Sequence, residues 1–220
     1  MHNGDYGYGL WPLVIGNVIF IMFVLTLVYK PRTSIDWKNM GAIGAFLVAL
    51  FTEMYGFPLT IYLLTSWLGK NYPVVNPFAH ESGHLLAVFF ESPVVSLLVH
   101  PGSDIMLISA FVIIGVAWRR IHQNSDKLVT DGIYRYVRHP QYTGFIMMIL
   151  AFLIQWPTII TLIMTPILLT VYYRLALKEE RDMEFKFGDE YREYMKGTNR
   201  FFPSISLLWN NFKYRFQEQN

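Results

Sequence analysis

Residues 142–177, YTGFIMMILAFLIQWPTIITLIMTPILLTVYYRLAL, contain two apolar runs that meet at Pro157. The first run, Tyr142–Trp156, carries no charged residue, and the second, Thr158–Leu177, carries only Arg174 near its end. A helix that spans a bilayer needs about 20 mostly apolar residues, and a proline ends or bends a helix. The pattern therefore predicts a short C-terminal hairpin of two membrane helices that turn at Pro157.

Three further apolar stretches precede this hairpin, at Trp11–Tyr29, Met40–Gly69 and Ile105–Trp118. The middle stretch is too long for one straight pass, so we expect a tilt, a kink at Pro58 or a re-entrant second half. Residues 84–99 fit either a helix on the membrane surface or a shallow re-entrant element. The sequence predicts an all-α, polytopic membrane protein with about five transmembrane helices.

The composition of the 220 residues agrees with this class, because 53% are hydrophobic and only 15% are charged. A typical soluble chain has about 25% charged residues. The absence of cysteine excludes disulfides and thiolate metal sites. A net charge of +2 is too small to indicate a nucleic-acid partner.

The arginines and lysines give the orientation of the five predicted helices. If the helices alternate across the bilayer, every basic residue except Lys70 falls on one side. The positive-inside rule then predicts an outside N-terminus, a cytoplasmic C-terminus and a site that faces the cytoplasm. Residues 1–12, MHNGDYGYGLWP, lack the basic region of a signal peptide, so we expect the first helix to stay in the mature protein.

The chain divides by chemistry into two regions. Residues 1–104 are a predicted N-terminal transmembrane region with an outer loop. Residues 105–220 are the predicted functional core, with a polar loop at 119–141 and a cytoplasmic C-terminal cap at 178–220. Glu53, a carboxylate inside an apolar stretch, is a functional candidate by position, either in a cavity or in a structural pair.

Separated motifs flank the C-terminal hairpin. Residues 138–144 read RHPQYTG, and the pair Glu179-Glu180 is followed by residues 187–194, FGDEYREY, and then by Arg200 and Pro203. Together they resemble the Arg-His-Pro-x-Tyr-x-Gly signature and the subsequent pattern of the isoprenylcysteine carboxyl methyltransferase family, whose superfamily includes phospholipid N-methyltransferases. The resemblance covers about residues 118–204.

The resemblance implies an integral-membrane methyltransferase that uses S-adenosylmethionine and yields S-adenosylhomocysteine. It implies a cofactor site near the cytoplasmic ends of the last helices, under the C-terminal cap. The chain also lacks the glycine-rich turn of a Rossmann enzyme. The predicted cofactor-binding residues are Lys127, Leu128, Val129, Gly132, Tyr134, Arg138, His139, Pro140, Tyr142, Gly144 and Glu180.

Arg174 and Glu179 fall where the family places an arginine and a glutamate near the methyl acceptor, and they are the predicted catalytic residues. Arg174 could hold a carboxylate acceptor, whereas an amine acceptor would need a base such as Glu179. The acceptors left open are a prenylated protein tail, a phospholipid amine, and a small thiol or acid. Each residue also has an ordinary interpretation, because arginines near helix ends extend toward headgroups and surface glutamates are solvated.

A second motif, His80-Glu81-x-x-His84, is similar to the zinc motif of intramembrane metalloproteases. The Asp-Gly ligand motif of those proteases is absent downstream, so the prediction for the functional core includes no metal. These histidines and His100 are an alternative metal site on the outer face. A non-enzymatic membrane scaffold is the third hypothesis.

Overall fold

A computed structural model describes residues 9–68, 93–124 and 127–204 of the chain. Seven α-helices lie in these ranges: α1 Trp11–Val28, α2 Ser34–Phe51, α3 Leu59–Leu68, α4 Pro93–Gln123, α5 Pro140–Gln155, α6 Ile159–Phe187 and α7 Asp189–Gly197. A π-helical turn at Thr52–Gly56 and a 3-10 turn at Gly132–Arg135 complete the list. The described ranges contain one isolated β-bridge, between Val137 and Asn199, and no strand.

A polar turn joins α1 to α2 and fixes the ends of both helices. The Thr33 hydroxyl accepts a hydrogen bond from the Asp36 amide, and the Asp36 carboxylate accepts one from the Thr33 amide. This capping box satisfies free amides of the first turn of α2. The other oxygen of Asp36 accepts a 2.6 Å bond from the hydroxyl of Tyr29, just beyond α1. The turn therefore holds a buried carboxylate beside the end of α1.

The long apolar stretch Met40–Gly69 is not one straight helix. α2 passes into the π-helical turn at Thr52–Gly56, and the chain bends at Pro58 before α3 begins. Of the three alternatives for this stretch, the structure shows the kink at Pro58. Glu53 is buried in the π-helical turn, where one carboxylate oxygen accepts a hydrogen bond from the Thr60 amide at 3.2 Å. The other carboxylate oxygen, Oε1, is buried and has no hydrogen-bond partner in the described part of the chain.

α4 and α5 form the most extensive helix pair in the described ranges. α4 is longer than the predicted stretch Ile105–Trp118, because it begins at Pro93 and continues through Pro101. At the other end it includes Arg119 and Arg120, which lie beyond the predicted end at Trp118. A long basic side chain can leave a helix end toward polar surroundings, so these residues do not end the helix.

α5 and α6 form the predicted hairpin. α5 ends at Gln155, and Thr158 forms a second capping box with Thr161 at the start of α6. α6 extends ten residues past the predicted end at Leu177 and stops at Gly188, which has a positive φ of 56°. The first part of the predicted C-terminal cap is thus helical, and α7 then folds back on the loop before α5.

The chain is an all-α polytopic membrane protein. Three helical stretches in the described ranges are long and apolar enough to cross a bilayer: Trp11–Val28, Leu98–Gln123 and Ile159–Phe187. α5 is apolar but shorter, as its sequence predicted. The total of five passes stays a prediction. His80, Glu81 and His84, and the segment 84–99 up to residue 92, lie outside the described residues.

Buried aromatic rings pack together between the end of α1, the first turns of α5 and the middle of α6. Phe145 stacks on Tyr172 with ring centroids 5.6 Å apart, and Tyr29 meets Phe145 edge-on at 5.5 Å. Such pairs contribute about 0.5–1.5 kcal/mol beyond the burial of their surface. The same end of the bundle carries the polar motifs.

Candidate active site

Glu180 is the centre of a buried ion cluster. Its carboxylate accepts hydrogen bonds from the Arg138 Nε at 3.0 Å and from the Arg200 Nε and Nη2 at 2.9 and 2.7 Å. The His139 Nε2 lies 3.2 Å from the same carboxylate. Glu180 is only 6% exposed, so two guanidinium groups share one carboxylate in a place with little water. This geometry joins the loop before α5, the helix α6 and the segment after α7.

The C-terminal cap is tied to the loop by its backbone as well. The Arg138 and His139 amides donate to the carbonyls of Asn199 and Arg200 at 2.8 and 3.0 Å. The Arg138 Nη1 donates to the carbonyls of Met195 and Thr198. The last turn of α7 and the residues that follow it therefore cover the start of the motif at 138–144.

Glu179, the neighbour of Glu180, has a different environment. It accepts a hydrogen bond from the Tyr142 hydroxyl at 2.9 Å, and the His139 Nδ1 lies 3.2 Å from its other oxygen. The Asn39 amide donates to the Tyr142 hydroxyl at 3.1 Å, which links α2 to this site. Glu179 is partly exposed, so its carboxylate is held in place but can still reach a ligand.

His139 bridges the two glutamates, with one ring nitrogen near each carboxylate. Burial lowers the pKa of His139, but the hydrogen bonds and charges of Glu179 and Glu180 together raise it above its ordinary value. Both ring nitrogens can donate only in the protonated form. The arrangement therefore favours a protonated imidazole.

The raised pKa predicts a pH dependence of stability. The contribution of His139 is complete below the unfolded pKa of about 6.5 and is lost as the pH rises through the folded-state value. We expect the melting temperature of the wild type to exceed that of His139→Gln most at acidic pH, with the difference shrinking toward alkaline pH. Thermal unfolding of both proteins across this range measures it. A difference that is constant with pH would contradict the prediction.

Glu179 lies in a wall shared by two cavities. The first, the cap pocket of about 100 Å³, is enclosed by the loop at 127–141, the end of α6 and α7. The second, the chamber of about 460 Å³, lies beside the turn between α1 and α2. The residues that line both are Ile121, Gln141, Glu179 and Met183. These four side chains therefore border both cavities.

The structure brings most predicted site residues to this end of the bundle. The predicted residues that line the cap pocket are Lys127, Leu128, Val129, Tyr134, Arg138, His139 and Glu179. The others support it: Tyr142 binds Glu179, Glu180 forms the ion cluster, and Pro140 begins α5.

The two predicted glycines act through the backbone. Gly132 has a φ of +60°, a conformation that favours glycine, and its backbone lies against the Arg120 guanidinium. Gly144 lies where α5 crosses α4, so closely that a Cβ there would be 3.0 Å from the Ala110 carbonyl oxygen. Both glycines therefore shape the site without lining either cavity.

The fold does not bring the predicted catalytic pair, Arg174 and Glu179, together. Five residues separate them on α6, which places them on different faces of the helix. Arg174 is exposed and lines neither the cap pocket nor the chamber. The chamber instead presents Arg32 and Lys178 as its cationic side chains.

Sequence reasoning did not select several residues that build the site. Asn39 and Gln141 contact Tyr142 and Glu179, Arg200 completes the ion cluster, and Tyr191 and Tyr194 line the cap pocket. Asn39 offered no signal in the sequence, since it follows Lys38 and precedes the predicted apolar stretch Met40–Gly69. Arg200 and the two tyrosines were part of the quoted motif, but the motif alone did not show what they contact.

Comparison with known proteins supports the resemblance. Residues 94–184 match the isoprenylcysteine carboxyl methyltransferase (ICMT) family. The chain is 36% identical over 85 residues to a protein-S-isoprenylcysteine O-methyltransferase of Schizosaccharomyces pombe, which covers 38% of this chain and 36% of the relative. It is 32% identical over 88 residues to a probable protein-S-isoprenylcysteine O-methyltransferase of Oryza sativa subsp. indica, which covers 39% and 46%.

A third relative carries a different name. The chain is 31% identical over 105 residues to a methanethiol S-methyltransferase of Pseudomonas deceptionensis, which covers 45% of this chain and 39% of the relative. The chain thus spans less than half of the length of these relatives. The matched region contains α4, the motif at 138–144, the α5–α6 hairpin and both glutamates. Through this region, the chain is similar to the ICMT family.

Proposed function

We propose that this chain is an integral-membrane methyltransferase that uses S-adenosylmethionine at the cytoplasmic face of the membrane. The observation that carries the proposal is the position of Glu179 between two cavities. One cavity is built from the family motif and the cap, and the other opens beside the α1–α2 turn. A transferase that binds two substrates needs their sites to be adjacent.

The side chains of the cap pocket suit the cofactor. Lys127 supplies positive charge for its carboxylate, Tyr134 and Tyr191 supply aromatic faces for its adenine, and Glu179 supplies negative charge for its cationic end. When bound, S-adenosylmethionine supplies a methyl group on a positively charged sulfur. A volume of about 100 Å³ is below that of an ordinary ligand site, so the flexible side chains of Met183 and Lys186 must turn aside.

The chamber is the proposed site of the methyl acceptor. Its volume of about 460 Å³ is in the range of small-molecule sites. Its lining carries the cations Arg32 and Lys178 beside the carboxylates of Asp36, Glu179 and Asp182. Glu179 is placed to take the proton of a thiol or amine. The names of the relatives favour a thiol or an isoprenylcysteine carboxylate over the other acceptors, and we propose a lipophilic or small acceptor.

Arg174 has a proposed role only through the resemblance. Because it is exposed on α6 and lines neither cavity, it would have to hold a part of the acceptor that extends out of the chamber toward the headgroups. Within the chamber, Lys178 is the cation next to Glu179 in sequence. The proposed catalytic contribution of the protein is alignment of the two substrates, which can supply roughly 7–11 kcal/mol of a barrier.

Cofactor binding tests the proposal directly. Isothermal calorimetry on detergent-purified protein should detect S-adenosylmethionine binding in the wild type. Glu179→Gln should weaken it about tenfold, since it removes a charge next to a cationic ligand. Glu184→Gln is the matched control, because Glu184 lies on the same helix, pairs with exposed Arg192 and lines neither cavity.

The outcomes separate the hypotheses. The methyltransferase proposal is supported if the wild type and Glu184→Gln bind S-adenosylmethionine equally and Glu179→Gln binds it more weakly. If folded wild-type protein binds no S-adenosylmethionine, the proposal is overturned and the hypothesis of a non-enzymatic membrane scaffold remains. The zinc-protease alternative is not favoured by the relatives.

A further inference from the structure

A third cavity lies away from Glu179, in a groove between the C-terminal ends of α1 and α4. It has a volume of about 510 Å³. Leu27, Val112 and Val116 line it and are 62%, 57% and 45% exposed, although they are apolar. Both helices are long and apolar enough to cross a bilayer. The floor and walls of this groove therefore suit a hydrocarbon chain of the membrane.

Positive charge converges on one end of the same groove. Lys30 lies just beyond α1, and Arg119 and His122 lie in the last turns of α4. Arg120 and Arg138, by contrast, are paired with Asp131 and Glu180. Within the described residues, Lys30 and Arg119 form no ion pair. The groove thus combines an apolar body with a cationic head end.

Trp118 adds a donor without an acceptor. Its indole Nε1 is buried and has no hydrogen-bond partner in the described part of the chain. The ring lies against Tyr29 at 4.5 Å and against His122 at 4.9 Å, so neighbouring rings restrict it. A buried donor without a partner costs free energy, and tryptophan at a membrane interface normally finds one. An acceptor oxygen that reaches this indole would supply the missing partner.

We propose that the groove binds one anionic glycerophospholipid. An acyl chain lies along Leu27, Val112 and Val116, and the phosphate lies among Lys30, Arg119 and His122. An oxygen of the headgroup or of an ester accepts the hydrogen bond of Trp118. A zwitterionic lipid would bring its own positive group to the cations, so the groove selects a net negative lipid. Trp118 and His122 also line the chamber, so the head of this groove borders the proposed acceptor site.

Quenching of tryptophan fluorescence by brominated lipid tests the proposal on the full chain. The protein is placed in nanodiscs that contain either dibrominated phosphatidylglycerol or dibrominated phosphatidylcholine. The signal of Trp118 is the difference between the wild type and Trp118→Phe. We expect this signal to be quenched more strongly by phosphatidylglycerol. Lys30→Gln and Arg119→Gln should each weaken the apparent affinity for phosphatidylglycerol about fivefold, with Lys38→Gln as the control.

Lys38 is a suitable control because it is exposed, lies close in sequence and lines none of the three cavities. Native mass spectrometry supplies a readout that does not need Trp118. We expect the wild type to retain one phosphatidylglycerol and the double variant Lys30→Gln/Arg119→Gln to lose it. If soluble glycerol phosphate displaces phosphatidylglycerol, the site binds free phosphate and the proposal of a lipid site is overturned. Equal quenching by both lipids, or unchanged binding in the double variant, would also overturn the proposal.

Discussion

Glu180→Gln is expected to lower the stability of the protein by about 3–5 kcal/mol and to detach the C-terminal cap. The substitution leaves the guanidinium groups of Arg138 and Arg200 without the carboxylate that they share. The side chain of Arg138 is only 11% exposed, so water cannot replace the lost partner. Removing one member of a buried ion pair is costly for this reason, even where the intact pair adds little net stability.

The cap should respond more than the helices. Hydrogen exchange of residues 189–201 measures this locally, and thermal unfolding in detergent measures the whole protein. Glu184→Gln again provides the control, since its partner Arg192 is well exposed and surface ion pairs contribute about 0–1 kcal/mol. Equal stability of the two variants, with equal protection of the cap, would show that the ion cluster does not hold the cap in place.

The helical part of the fold was largely predictable from the sequence, because the bilayer imposes a length and an apolar composition on each span. The hairpin at Pro157 and the kink at Pro58 both occur as expected. The ends of the helices were less predictable. α6 continues past Leu177 as a charged helix, since its backbone hydrogen bonds do not depend on whether its side chains face lipid or water.

The separate roles of Glu179 and Glu180 could not be predicted. Both are adjacent carboxylates at the end of an apolar run, yet only Glu180 meets the two arginines, at positions 42 and 20 residues away in sequence. Adjacent residues on a helix point about 100° apart. A difference of one residue therefore places Glu180 in the ion cluster and Glu179 in the cavity wall. The identity of the partner depends on how the cap folds back, which no local pattern encodes.

The contribution of the N-terminal region was also hidden. Asn39 reaches the site through Tyr142, and the Tyr172 hydroxyl donates to the Asn39 carbonyl. The α1–α2 turn supplies Arg32 and Asp36 to the chamber. These contacts join residues more than 100 positions apart, and their sequence carries no family motif. The region outside the family match therefore forms one side of the proposed acceptor chamber, where acceptor specificity would be determined.

Gly144→Val is expected to lower stability by about 3 kcal/mol, because it adds atoms where α4 and α5 already touch. A Cβ at this position would lie 2.5 Å from the Ile114 Cγ1 and 3.0 Å from the Ala110 carbonyl oxygen. Both neighbours are fully buried, and one of the contacts is to backbone, so rotation of a side chain cannot relieve it. α5 must move away from α4.

That movement should also reach the site, because Tyr142 lies on the same turn of α5 as Gly144. We expect Gly144→Val to lose S-adenosylmethionine binding together with stability, as measured by calorimetry and thermal unfolding. Gly102→Val on α4 is the matched control, since a Cβ there meets nothing within 4 Å. Adding Ile114→Ala to Gly144→Val should recover part of the loss, because it removes the closest contact. A Gly144→Val protein as stable as Gly102→Val would show that α4 and α5 are not packed this closely.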